Sequence, residues 1–192
     1  MKRVFDVVLS ALALILLAPV LLVIAIAIIL DTGLPVFYRQ DRVGLHFHVF
    51  KILKFRSMHQ NNGGSLITIS GDPRVTGVGK ILRITKLDEL PQFWNVLLGD
   101  MSLVGPRPEV PHYVELFKNR YSLILSVRPG ITDLASIEFR NEEQVLRESH
   151  EPLKAYIEEV LPAKLDLADK YVRNHSVIGD VLILFRTALK LI

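Results

Sequence analysis

The sequence contains no cysteine. That excludes a disulfide framework and a thiolate metal site, and nothing in the chain asks for an oxidising compartment. Two common catalytic spacings are also missing, the G-x-S-x-G nucleophile elbow and the G-x-G-x-x-G dinucleotide fingerprint. Gly77-Val78-Gly79-Lys80 approaches a P-loop, but Arg74 stands where the first glycine belongs and Ile81 replaces the Ser/Thr, so the motif fails. His46 and His48 alternate on one strand face without a third ligand at useful spacing, which favours ordinary surface or core histidines over a metal site.

Charge is missing from one long stretch. Residues 7–30 carry no ionisable side chain, and about 24 helical residues extend roughly 36 Å, against about 30 Å for a bilayer's hydrocarbon core. Pro19, near the middle, removes a backbone hydrogen bond and predicts a bend or break. Lys2 and Arg3 precede the stretch, and Arg39, Arg42, Lys51, Lys54 and Arg56 follow it. Basic flanks stay cytoplasmic, so both ends are pulled to one side. A kinked single-pass anchor remains open, but a helix that enters and returns at Pro19 satisfies both flanks. A cleaved signal peptide fits less well, because its apolar region typically runs only about 7 to 15 residues. Asp6, beside Lys2 and Arg3, reads as a solvated charge at the helix end.

The chain has 192 residues, 50% hydrophobic and 22% charged, which suits one ordinary domain plus one apolar element. The division expected is a membrane-inserted segment over 1–31 and a soluble domain over 32–192. The net charge of +3 suits an anionic partner: phosphate, acidic headgroup or nucleic acid.

After the breaker Asp31-Thr32-Gly33-Leu34-Pro35, two β-like runs at 36–40 and 47–52 flank a turn containing Gly44 and predict a hairpin. A polar loop over 57–65 carries Asn61-Asn62-Gly63-Gly64, and Gly71-Asp72-Pro73-Arg74 breaks the chain again. Apolar spacing then predicts helices over 75–83, 88–98, 109–119, 142–148, 153–173 and 177–191. The last is amphipathic, with Val177, Val181, Leu184, Phe185, Ala188 and Leu189 on one side. Such a stripe suits packing on the soluble core or lying in a bilayer interface. The class expected is α+β, mostly helical: a re-entrant N-terminal helix hairpin, a short β-hairpin and amphipathic interfacial helices.

The most informative stretch is Arg83-Ile84-Thr85-Lys86-Leu87-Asp88-Glu89-Leu90-Pro91-Gln92. Thr85 followed by Asp88 matches a capping box, which would put two carboxylates in the first turn of a helix. An isolated Asp-Glu pair there would be ordinary capping. Here it has cationic company: Arg83 and Lys86 upstream, Lys54 and Arg56 alternating at a strand end, Gly105-Pro106-Arg107-Pro108, and Arg128-Pro129-Gly130. Phosphoryl transfer proceeds largely by positioning and charge neutralisation, which such cations supply.

Taken together, these residues resemble the bacterial sugar transferase family, the small monotopic phosphoglycosyl transferases. The resemblance rests on the apolar helix with an interior proline, Phe50-Lys51-Ile52-Leu53-Lys54-Phe55-Arg56-Ser57-Met58, Leu87-Asp88-Glu89-Leu90-Pro91-Gln92, and Gly99-Asp100-Met101-Ser102-Leu103-Val104-Gly105-Pro106-Arg107-Pro108. It continues through Arg128-Pro129-Gly130-Ile131-Thr132, Asp169 with Tyr171-Val172-Arg173-Asn174, Ser176 and Asp180. The chain departs at Ala18, where serine is common before the proline, and at Asp133, where glycine is usual.

The resemblance implies a two-step transfer. Asp88 would attack the sugar-linked phosphorus of a UDP-sugar and expel UMP, and undecaprenyl phosphate would then take the phosphosugar. Glu89 would be the partner carboxylate, and Asp88 with Glu89 would hold Mg2+. Arg83 and Arg107 would grip phosphates, and Lys54, Arg56, Pro106, Arg128 and Asp169 complete the implied substrate-binding set. The implied partners are the UDP-sugar donor, the undecaprenyl phosphate acceptor and membrane lipid, with no nucleic acid; the Leu- and Val-rich helices also suit a homodimer. The implied location is the bacterial inner membrane, with the catalytic domain facing the cytoplasm. Two other functions fit the dyad less completely: a membrane-associated nucleotide-sugar hydrolase and a non-catalytic membrane scaffold.

Overall fold

The computed structural model describes residues 2–59 and 67–191; the expected Asn61-Asn62-Gly63-Gly64 turn lies outside them. The apolar stretch forms one helix, α1 (Lys2–Thr32), with Pro19 inside it. Where the sequence suggested two arms, the helix continues on both sides of Pro19, whose ring removes one backbone donor. Of the described helices, α1 alone is long and apolar enough to cross a membrane, and little of it is buried. Ile15 and Leu16, near its middle, are 71% and 74% exposed.

Both ends of α1 rest on the same globular body. At the start, Lys2 Nζ donates to the Val104 carbonyl at 3.0 Å and pairs with Asp180. Arg3 donates to the carbonyls of Val96 at 2.7 Å and Leu97 at 3.2 Å. Asp6 is 2% exposed and accepts from Ser102 Oγ at 2.8 Å and the Leu103 amide at 3.2 Å. The solvated helix-end charge expected for Asp6 is therefore corrected: its carboxylate satisfies buried donors of a short strand, which sequence spacing cannot anticipate. At the far end, Ile24 and Ile28 pack with Phe55 and Leu82. Arg56 there donates to Thr32 Oγ1 at 2.6 Å and to the carbonyls of Gly33 at 2.5 Å and Leu34 at 3.1 Å. It thus holds the chain where it leaves α1, through the Thr32 hydroxyl and the first two carbonyls beyond the helix.

The hairpin forms as expected but is longer: β1 (Phe37–Val43) pairs antiparallel with β2 (Val49–Phe55), with Phe37 opposite Phe55 and Val43 opposite Val49. Its turn takes left-handed φ at His46 and Phe47, while Gly44 stays at φ −118°. Gly44 serves close packing instead, since a Cβ there would lie 3.1 Å from the Phe50 ring. Next come α2 (Gly77–Thr85), capped by Thr76 Oγ1 accepting from the Gly79 amide at 2.9 Å, and α3 (Gln92–Leu98). Gly79, part of the rejected P-loop motif, lets α2 approach the hairpin's exit: a Cβ there would fall 2.0 Å from the Ser57 carbonyl oxygen.

A second small sheet was not foreseen. β3 (Ser102–Val104) and, beyond α4 (Pro111–Leu116) and α5 (Lys118–Ile124), β4 (Gly130–Thr132) pair in parallel. Three residues each are too few for a periodic signal. The predicted 109–119 helix is instead α4 and α5, divided at Phe117 (φ −118°). The chain closes with α6 (Leu134–Glu138), α7 (Glu142–Glu148), α8 (Pro152–Ala155), α9 (Leu161–Asn174) and α10 (Val177–Leu191). A π turn (Tyr156–Val160) joins α8 to α9. Pro162 explains it: with no N–H to give the preceding turn, the ladder widens by a residue.

The largest core packs α4, α5 and α9 around Tyr113, Tyr121, Ile124 and Leu161. A second joins β3 to Tyr171, Val172 and Ile183 and draws in Phe5 of α1. The buried line of α10 runs through Asp180 and Ile183, while Ile178, Val181, Leu182, Phe185 and Leu189 stay exposed. Thus α10 has a docking face and a separate outward apolar face.

Candidate active site

Asp88 and Glu89 lie in a one-turn 3-10 segment, Leu87–Glu89, between α2 and α3. Lys86 at φ 57° ends α2, and Pro91 keeps a regular helix from starting before Gln92. The expected capping box therefore does not form. Thr85 is the last residue of α2, and its hydroxyl donates to the Ile81 carbonyl at 2.8 Å. The tight turn serves the site better than a helix start would, because it directs neighbouring carboxylates to different surroundings.

Glu89 faces two cations. Its Oε1 lies 2.8 Å from Lys54 Nζ of β2 and 2.6 Å from Arg107 Nη2, and Arg107 Nη1 is 3.4 Å from Oε2. Arg107 sits on the loop leaving β3. Asp88 is 6% exposed, and its Oδ1 is buried without a hydrogen-bond partner. One carboxylate is thus neutralised by fixed cations, and the other is left with an unclaimed oxygen.

The electrostatics follow this division. Burial pushes the Asp88 carboxyl above its usual range; Lys54 pulls it back, the Glu89 charge adds to the rise, and Arg83 and Lys86 oppose it. Burial also works against the Glu89 charge, but Arg107 and Lys54 outweigh it and hold that carboxyl well below its ordinary range. Burial draws the Lys54 ammonium down, with Glu89 opposing and Arg107 assisting. Environments that separate the pKa values of adjacent carboxyls mark functional sites.

A pH profile follows from these directions. If Asp88 is the nucleophile that the family resemblance implies, it must be ionised, so activity should fall on acidification at a pH above the ordinary aspartate value of about 3.9. Loss of the Lys54 charge should bring activity down on the alkaline side, below the ordinary lysine value of about 10.4. Lys54→Arg should remove the alkaline limb and leave the acid limb in place; a pH profile of kcat/KM for both proteins checks this.

Other expected site residues are distributed unevenly. Arg83 pairs with Glu143 of α7 while its charge still acts on Asp88. Pro106 offers its carbonyl to the Gly130 amide at 3.0 Å, on the Arg107 loop. Arg128 is exposed, and its Nε donates to the Gly99 carbonyl at 2.8 Å. Arg56 is occupied at the end of α1, as described, so the strand alternation it shares with Lys54 does not bring both to the dyad. Asp169 lies on α9, where Oδ2 is 3.6 Å from Arg120 of α5. Among the described residues, no three His, Cys, Asp or Glu side chains gather where one ion could be held.

Comparison with known proteins now bears on this geometry. The family model described as "Bacterial sugar transferase" matches residues 1–192. The chain belongs to the bacterial sugar transferase family. It is 40% identical, over 98% of its length, to a Klebsiella pneumoniae protein named UDP-glucose:undecaprenyl-phosphate glucose-1-phosphate transferase, and covers 39% of that protein. A protein of the same name from Caulobacter vibrioides is 48% identical over 71% of the chain and 53% of the relative. "Exopolysaccharide production protein ExoY" of Sinorhizobium fredii is 34% identical over 97% of the chain and 83% of that protein. The chain thus spans about two fifths of the Klebsiella relative and most of the Sinorhizobium one.

Three residues that hold this site together had no role assigned from the sequence. Asn95 of α3 accepts from the Leu53 amide through Oδ1 and donates to the Lys51 carbonyl through Nδ2, both at 2.9 Å, pinning α3 to the strand that carries Lys54. An asparagine inside Phe93-Trp94-Asn95-Val96-Leu97 was the available signal. Glu143 holds Arg83, and Asp133 holds the Arg107 loop. Neither has a local pattern that reveals a partner dozens of residues away.

Proposed function

We propose that this chain transfers a sugar phosphate from a UDP-sugar to undecaprenyl phosphate, giving undecaprenyl-diphosphosugar and UMP at the start of glycoconjugate synthesis. The relatives' names supply the donor and acceptor classes. The observation that carries the reading is the buried, unpartnered Asp88 oxygen beside a Glu89 already neutralised by Lys54 and Arg107.

In the first step an Asp88 carboxylate oxygen bonds to the sugar-linked phosphorus. The bond from that phosphorus to the bridging oxygen breaks, and UMP leaves with the electron pair. In the second step a phosphate oxygen of the polyprenyl acceptor attacks the same phosphorus and displaces the Asp88 carboxylate, restoring the enzyme. No net proton transfer is required. Lys54, Arg107 and Arg83 offset the charge developing on equatorial and leaving oxygens, the principal contribution a protein makes to phosphoryl transfer. Raised by burial, Asp88 is the more basic carboxylate of the pair and the one with an oxygen to offer.

Magnesium fits this donor set in one way. Glu89 Oε1 is shared by two cations, so Asp88 would be the protein ligand, and substrate phosphates and water would supply the rest, as Mg2+ commonly requires. When bound, the ion would lower the repulsion between carboxylate and diphosphate.

The acceptor's phosphate lies at headgroup depth, so Asp88 has to work there. We assign α1 to a membrane insertion bent at Pro19, with both termini on the cytoplasmic face and the apolar face of α10 lying in the interface. Both ends of α1 contact one body, in keeping with this orientation. The absence of native cysteine allows a clean test. Val4→Cys and Leu34→Cys, at positions 66% and 75% exposed, should both resist a membrane-impermeant thiol reagent in intact cells and both react in inverted vesicles. Opposite behaviour of the two sites would rule out the returning helix.

Turnover with and without the lipid tests the function itself. UMP release in a single turnover should need only donor and Mg2+, whereas continued release should require undecaprenyl phosphate. Sustained release without lipid would mean that water is the acceptor.

A further inference from the structure

β3 and the Arg107 loop that follows it are fastened along their length to β4 and the residue before it. The Ser102 amide donates to the Pro129 carbonyl at 2.8 Å, Gly105 to Thr132 at 3.1 Å, and Gly130 back to Pro106 at 3.0 Å. The backbones run so close that a Cβ at Gly105 would fall 2.4 Å from the Arg128 carbonyl oxygen, and one at Gly130 2.1 Å from the Gly105 nitrogen. The fourth fastening in this series is a side chain. Asp133 Oδ2 accepts from the Arg107 amide at 3.1 Å, while its Oδ1 accepts from the Ser136 amide at 2.6 Å as the N-cap of α6. Asp133 is 3% exposed. Its backbone, at φ −155° and ψ −179°, is ordinary extended chain. No unusual dihedral is being accommodated at this departure from glycine; the carboxylate is what the position uses.

We propose that Asp133 is a positioning residue for the transfer: by bridging the start of α6 to the Arg107 amide, it fixes where the Arg107 guanidinium meets Glu89 and the donor diphosphate. The inference rests on the proposed role of Arg107. A glycine at 133 would leave the Arg107 amide and the first turn of α6 without this acceptor. Glu89 and then burial dominate the state of the Arg107 side chain, and Asp133 is among the further acids that favour its charge.

Asp133→Asn separates positioning from mere capping. An amide has an oxygen at only one of the two carboxylate positions; with that oxygen kept on the shorter contact, 2.6 Å to the Ser136 amide against 3.1 Å to Arg107, the Arg107 amide loses its acceptor. The test uses the full chain in lipid nanodiscs, with UDP-glucose, Mg2+ and undecaprenyl phosphate, and reads hydrogen exchange at the Arg107 amide in parallel. Expected for Asp133→Asn are exchange at that amide faster by about tenfold, kcat/KM for the donor lower by about tenfold, and a melting temperature lowered by only a few degrees, as one lost hydrogen bond implies. In an Arg107→Ala background, the same change should cost less than about twofold, because the residue being positioned is gone. Wild-type exchange at Arg107 in the Asn variant would overturn the proposal. So would a full tenfold loss persisting without Arg107. If Arg107→Ala alone left turnover intact, the role of Arg107 in transfer would fail, and exchange at its amide would still decide whether Asp133 holds the loop.

Discussion

Asp88→Asn is expected to reduce turnover by about 10⁴-fold or more while leaving the melting temperature equal to or above that of the parent. The first half follows from the proposed chemistry: an amide cannot attack phosphorus and be regenerated as a leaving group, and covalent nucleophiles typically carry losses of this order. The second half follows from the surroundings. Burial disfavours the Asp88 charge, its Oδ1 has no partner, and Glu89 next to it adds repulsion. An uncharged isostere relieves these terms, the pattern expected where function is maintained at some expense of stability. Steady-state rates and thermal melts on the same preparation check both halves. Turnover retained in the variant would remove Asp88 from the chemistry, and a large fall in melting temperature would make it a structural residue.

Glu89→Gln should behave in the opposite way, losing stability and activity together. Lys54 and Arg107 both direct nitrogens at the Glu89 carboxylate, at 2.8 and 2.6 Å. Removing that charge leaves two cations facing one another in a largely buried space. Breaking a buried pair by deleting one partner costs about 3–5 kcal/mol, and because the Arg107 side chain keeps 35% of its exposure, about 2 kcal/mol is the better expectation here. Activity should fall by about 100-fold or more, because both cations lose the anchor that fixes them near the diphosphate. Glu89→Asp should restore the charge and only part of the function, since the shorter side chain cannot reach both partners. A Gln variant as stable as the parent would show that the Lys54-Glu89-Arg107 cluster does not help hold the site together.

These two predictions separate carboxylates that are neighbours in sequence, and sequence alone could not have separated them. The Asp88-Glu89 dyad, its cationic company and the long apolar helix were legible because each is a local pattern of charge or hydropathy. The assignment of cations to carboxylates was not. Lys54 and Arg107 reach Glu89 across 35 and 18 residues of chain. Arg56, two positions from Lys54 and on the same strand face by alternation, instead closes the end of α1. The β3–β4 pair escaped notice because three-residue strands carry no period, yet it aims the Arg107 loop. Asp6 looked like a surface charge because its partners, Ser102 and Leu103, lie nearly a hundred residues away. Pro91 carries the sequence signal for the turn: a proline four residues after Leu87 opposes a helix starting at Asp88, and the tight turn that results gives the dyad its asymmetry.

The most direct test of the account is the intact mass of the protein after incubation with a panel of UDP-sugars and Mg2+ in the absence of lipid acceptor. The account predicts one added phosphosugar per chain with the preferred donor, absent from Asp88→Asn and discharged when undecaprenyl phosphate is added. UMP released in step with lipid product, with no adduct on a rapidly quenched sample, would contradict it.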